Sequence, residues 1–130
     1  MDNPVNISGQ LLEDKVENYC RENNISYQRA KPGAHAIDFI IETGNGKVFA
    51  DCTNQNSVGS VEEKLPHKLW KYHNKYGYSN VCIIKGDHKI SATVLMHCNE
   101  MARTKNFDLT FKSCEDFCNT LTTKTESFFG

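Results

Sequence analysis

Residues 36–52, AIDFIIETGNGKVFADC, restrict the fold more than any other stretch of this chain. Ala36–Ile41 and Lys47–Cys52 are short apolar runs rich in β-branched and aromatic residues. Between them, Thr43-Gly44-Asn45-Gly46 supplies the positive backbone angles of a tight hairpin. With Gly44-Asn45 as the two-residue loop, Asp38 and Asp51 stand directly opposite each other. Sliding the loop by one residue changes the opposed pair but keeps the two acids close. Two carboxylates within apolar strands repel each other and are costly to bury. A divalent cation is the simplest partner that makes such a pair favourable.

The rest of the chain reads as alternating helices and strands. Ser8 is the expected N-cap of a first helix whose Leu11, Leu12, Val16, Tyr19 and Cys20 share a face. Ile25–Arg29 reads as a strand, followed by the loop Arg29-Ala30-Lys31-Pro32-Gly33-Ala34-His35. Ser60 and Glu63 have capping-box spacing for a second helix, continued by Leu65, Leu69, Tyr72 and Tyr76, with Pro66 in its first turns. Lys64, His67, Lys68, Lys71 and Lys75 make its other side basic. Gly77 ends it, NVCIIK (80–85) is a buried strand, and a third helix buries Ile90, Val94, Leu95, Cys98, Met101 and Ala102. A short strand at Phe107–Phe111 leads to a final helix capped by Ser113 with Asp116, and Thr122–Gly130 is expected to fray. The layout is mixed α/β, one domain over residues 1–130.

Acids and bases nearly cancel, giving a formal net charge of -1, so overall charge gives no support to non-specific DNA binding. No apolar run is long enough for a membrane span, and the N-terminus has no secretory pattern. Cys52 and Cys82 fall inside expected core strands, so the six cysteines read as reduced and the chain as intracellular. Cys114-X3-Cys118 with His97-Cys98 lacks the spacing of a common zinc finger or ribbon; one helical face is the simpler reading.

The hairpin resembles the PD-(D/E)XK nuclease superfamily, in which an Asp opens the second strand and an acidic-X-Lys triplet lies on the third. Asp38 matches the first acid and Asp51-Cys52-Thr53 the triplet, with Thr53 standing where the family has lysine. Gln55 and the Gly59–Leu65 run are similar to a segment of short restriction-type members. The resemblance implies a central mixed sheet flanked by helices, an αβββαβ core, here with a C-terminal α-β-α extension. It also implies Mg²⁺, with Mn²⁺ as substitute, held by Asp38, Asp51 and the Cys52 carbonyl, and DNA, double-stranded or branched, as substrate. Glu13 corresponds to a first-helix glutamate that can face the metal; a solvated first-turn acid is the competing reading.

Phosphodiester hydrolysis also needs a group that orients or activates water. Thr53 can hydrogen-bond water but supplies no positive charge. Either a lysine has migrated, with Lys64 the best substitute and Lys47 a poorer one, or Gln55 and Thr53 merely position water. Otherwise the chain is a catalytically weak DNA-binding or accessory subunit. Arg29, Lys31 and His35, with Lys68 and Lys71, are the candidate phosphate contacts. Cutting both strands with so short a chain would be easiest for a homodimer.

Overall fold

The computed structural model describes residues 4–31, 37–44, 46–53, 65–86 and 90–122, with side chains from residue 11 onward. In chain order these form α1 (Pro4–Glu22), β1 (Tyr27–Arg29), β2 (Phe39–Thr43), β3 (Gly46–Thr53), α2 (Leu65–Tyr76), β4 (Asn80–Lys85), α3 (Ala92–Lys105), β5 (Asp108–Ser113) and α4 (Cys114–Thr122). The expected order of elements is therefore found. The strands build one sheet in sequence order, antiparallel across β1-β2-β3 and parallel across β3-β4-β5.

The hairpin register settles the geometry that matters most. Thr43 pairs with Gly46 and Phe39 with Ala50, so the next step outward sets Asp38 against Asp51. Gly46 takes a positive φ of 116°, which glycine adopts without strain. Strand alternation then sorts the side chains. Phe39, Ile41, Val48 and Ala50 join Leu12, Val16, Cys20 and Phe117 in the core under α1 and α4. Asp38 and Asp51 have the opposite parity and face the α2 side.

On that second face, Leu65, Leu69 and Tyr72 of α2 and Val94, Cys98 and Ala102 of α3 cover Val81 and Ile83. The β3-α2-β4 and β4-α3-β5 crossovers move in one direction across the sheet. A shared handedness places both helices on one face. The sheet is thus sandwiched between two helical layers.

Several sequence expectations need correction, among them the last strand, which runs Asp108–Ser113 rather than Phe107–Phe111. The first helix begins at Pro4, so Ser8 lies inside it and is no N-cap; proline suits a first helical position because it has no N–H to leave unpaired. The strand expected at Ile25–Arg29 starts only at Tyr27, because α1 ends in a left-handed turn that uses Ile25. Asn24 has φ 56°, its N–H reaches the Arg21 carbonyl at 3.3 Å, and the Ile25 N–H reaches the Cys20 carbonyl at 2.8 Å. The final helix is capped as expected, the Asp116 N–H meeting Ser113 Oγ at 3.1 Å. Thr122, expected to begin the frayed end, instead closes α4, its hydroxyl 2.9 Å from the Tyr19 phenol; residues 123–130 and the Ser60–Glu63 capping box lie outside the described residues.

Candidate active site

Asp51 sits at the middle of a polar cluster yet is only 2% exposed. Its Oδ1 accepts the Asp38 backbone N–H at 3.2 Å, and its Oδ2 accepts the Lys68 ammonium at 2.9 Å. Asp38 Oδ2 in turn accepts the Cys52 N–H at 2.8 Å. These crossed bonds continue the β2–β3 ladder through side chains, holding Asp38 just before β2 and Asp51 two residues short of the end of β3. The Tyr72 phenol, one helical turn beyond Lys68, also hydrogen-bonds Asp51.

The electrostatics follow from crowding two acids together. Burial, then the Asp51 charge and a hydrogen bond between the two carboxyl groups, push Asp38 up to about 8; Glu13 adds to the effect. Burial opposes the charged form of Lys68, but Asp51 and Asp38 outweigh it and hold the ammonium above its usual range. Lys68 therefore carries its proton at neutral pH. Burial, reinforced by Asp51, also raises Tyr72, keeping it a hydrogen-bond donor.

Thr53 shares the parity of Asp51 and is half-buried, its carbonyl accepting the Gly86 N–H at 2.9 Å. Glu13 lies in the third turn of α1, which has no acid in its first turn, so favour from the helix dipole does not account for it. Its charge reaches Asp38, Cys52 and Arg29. Arg29 is tied to α1 through Asp14 at 2.8 Å and Glu17 at 3.3 Å, and lies 5.9 Å from the Phe39 ring centroid. Lys31 is exposed and Lys71 half-exposed. Lys47 pairs with Glu42 at 4.0 Å, at the turn end of the hairpin. Gln55, Lys64 and His35 lie outside the described residues.

Lys68, read from the sequence as a phosphate contact, is seated on the paired acids. Tyr72, which the sequence places only on the apolar face of that helix, also turns its phenol to Asp51. The signal is the spacing: Lys68 falls about 40° beyond inward Tyr72 on the helical wheel, at the border of the buried face.

A family model for the PD-(D/E)XK nuclease superfamily domain matches residues 5–115. The chain belongs to the PD-(D/E)XK nuclease superfamily. Its fold is similar to the structure of restriction endonuclease FokI bound to DNA, with a TM-score of 0.53 and 12% identity. The match covers 86% of this chain and 24% of the FokI chain, and at that identity it speaks for the fold alone. Comparison with curated protein sequences found no match.

PD-(D/E)XK nucleases generally use divalent metals, and the donor set at this site suits one. Two carboxylates on adjacent strands offer hard oxygen donors, and the raised Asp38 value marks a place where a further positive charge would relieve repulsion. Among the described residues, no three or more His, Cys, Asp or Glu side chains form a ready metal cluster. That bears on the zinc alternative as well: Cys98 packs under α2 and α3, whereas Cys114 and Cys118 lie on α4 beyond the opposite face. All six cysteines are free. No described helix is long and apolar enough to cross a membrane.

The Asp38 shift makes a pH prediction for metal-free protein. Asp38 faces Asp51, with Lys68 and Tyr72 on Asp51 and Glu13 within electrostatic reach. A carboxyl raised in the folded state holds its proton there more tightly than in the unfolded chain. Its contribution to stability is full below the ordinary carboxylate range and is lost as pH rises through about 8. Thermal melts in EDTA should therefore show stability declining from roughly pH 5 to 8, by at most about 1.4 kcal/mol per pH unit. Asp38→Asn should flatten this decline; an unchanged slope in that variant would refute the assignment.

Proposed function

We propose that this chain is a metal-dependent DNA endonuclease, a single nuclease domain that hydrolyses phosphodiester bonds in the manner of restriction or resolvase enzymes. The observation that carries the proposal is the Lys68 ammonium 2.9 Å from Asp51, opposite Asp38. It provides positive charge at the acidic pair although Thr53 occupies the motif's lysine position.

In this reading Asp38 and Asp51 hold Mg²⁺, or Mn²⁺ in its place, and the Cys52 carbonyl adds an oxygen. The bound ion would neutralise phosphate charge and acidify an attacking water. Lys68, protonated at neutral pH, orients that water and stabilises the charge developing on the phosphate; it does not act as the base. The Thr53 hydroxyl hydrogen-bonds the same water, and Gln55 lies close by in sequence. Glu13 contributes negative field behind Asp38. Lys31, His35 and Lys71 meet flanking phosphates, while Arg29 positions β1 against α1. FokI is bound to DNA in its structure, which supports DNA as the substrate here. Cutting both strands calls for two copies, so the active form is a homodimer.

Thr53 also favours a second reading, a nuclease-fold DNA-binding or accessory subunit without activity. Plasmid nicking in Mg²⁺, Mn²⁺ and EDTA separates the two. Nicks or discrete fragments with either ion, and none in EDTA, support the enzyme. A plasmid left intact in every condition supports the accessory subunit.

Tyr72→Phe tests how Asp51 is held. The ring keeps its packing against Tyr76 and Tyr78 while the donor to Asp51 disappears. Hydrogen bonds to charged groups contribute about 1.5–3 kcal/mol, so single-turnover cleavage should slow by roughly tenfold or more. A rate equal to that of the unmodified protein would remove Tyr72 from the site.

A further inference from the structure

Trp70, the chain's one tryptophan, is 43% exposed although its neighbours Leu69 and Tyr72 are buried. It opens onto a groove of about 540 Å³ between α2 and α3, lined by Pro66, His67, Trp70, His97 and Met101. The His67 ring stacks beside the indole, with centroids 5.9 Å apart and planes inclined by 15°. None of the lining residues is acidic, and α2 carries Lys68, Lys71, Lys75, His67 and His73 without a single acid. Glu100, the one acid of α3, lies 3.9 Å from Arg103.

Helical spacing connects this groove to the candidate active site. Lys68 and Trp70 stand on opposite flanks of α2, since two residues span about 200° of turn. Across the outward face between them come Lys71 and then His67. The path covers about 15 Å of arc on a helix about 11 Å across. That is about four nucleotides at the 3.4 Å per-strand spacing of stacked DNA, and fewer in an extended strand. A strand whose phosphate lies at Lys68 thus crosses Lys71 and His67 before reaching the indole.

We infer that this groove receives an unpaired nucleobase, stacked on Trp70, from the strand that crosses α2. The inference rests on the nuclease reading and narrows it to DNA with single-stranded nucleotides beside the cut: overhangs, flaps or branch points. Base pairs inside a duplex are stacked on both faces and offer none to the indole, whereas an unpaired base of any identity can. A second copy of this chain fits less well, because a two-fold contact through the groove would set two basic α2 helices side by side.

The single tryptophan makes the test direct. The full chain in EDTA is titrated with blunt duplex and with the same duplex carrying about ten unpaired thymidines, a length within the usual site sizes of single-strand binding folds. Emission from Trp70 should fall by half or more with the overhang, which should bind about tenfold tighter than blunt DNA. Trp70→Ala should lower overhang affinity about tenfold more than blunt affinity, and Trp70→Phe should retain most of the preference. If DNA binds with Trp70 emission unmoved and no preference for the overhang, the groove is not a base site, while the nuclease reading stands. If emission shifts with protein concentration alone and DNA leaves it unchanged, a second copy covers the groove and the inference fails. Failure to bind any DNA overturns both readings together.

Discussion

Asp51→Asn should abolish metal-dependent cleavage and, with it, the rise in melting temperature that Mg²⁺ or Mn²⁺ gives the unmodified protein. Asp51 is the hub of the cluster: its two oxygens receive the Asp38 amide and the Lys68 ammonium, and its carboxylate takes the Tyr72 phenol. An asparagine keeps the shape, but its amide nitrogen cannot accept whichever nitrogen donor faces it, and the charge of the Asp51 carboxylate is gone. The fold should survive. Lys68 is 48% exposed and can turn to solvent, and Asp38 is relieved of its nearest like charge. The loss should therefore appear in metal response and rate more than in metal-free stability. Lewis-acid stabilisation is worth several kcal/mol, so cleavage should fall by at least about a thousandfold. A variant that melts later with Mg²⁺ and cuts at an undiminished rate would remove Asp51 from the metal site.

The placement of Asp51 was legible because hairpin register is short-range. A two-residue turn, flanked by strands whose apolar residues must face one side, fixes which residues are opposed across every later rung. The pairing of Thr43 with Gly46 is what Gly44-Asn45 dictates. NVCIIK was equally plain, since a continuous β-branched run between turn residues has few other uses. The start of α1 was not legible. Ser8 makes a good cap, but nothing in its local sequence forbids the helix from continuing back to Pro4. Arg29 could not be assigned to Asp14 and Glu17 either, because that contact joins elements whose packing is set by the sheet.

Lys68 shows most clearly where sequence reasoning ran out. Strand parity gives Asp51 and Thr53 a common side, and the helical wheel puts Lys68 at the rim of the buried face. Only the crossover from β3 through α2 to β4 brings the two together. Proximity along the chain favours Lys64, which lies outside the described residues, whereas the described salt bridge to Asp51 is made by Lys68, four positions later in the sequence.

Lys68→Ala should accordingly lower the cleavage rate by about a hundredfold or more, at the lower end of the range for a positioned proton-bearing group. Loss of the ammonium leaves the Asp51 carboxylate, only 2% exposed, without its cation, so metal-free stability should also fall. Added Mg²⁺ should recover much of that stability while leaving the rate low. This divergence separates a role in the reaction from a merely structural ion pair, whose loss would be repaired on both counts. Lys68→Arg keeps the charge and should retain the stability, but its fork is broader than an ammonium and should restore only part of the rate. Thr53→Lys in the Lys68→Ala background supplies charge from the motif position, on the same side of β3 as Asp51, and should return part of the activity. Lys64→Ala serves as the comparison: if it cripples cleavage while Lys68→Ala cuts normally, the catalytic cation is Lys64 and the Lys68 contact is only structural.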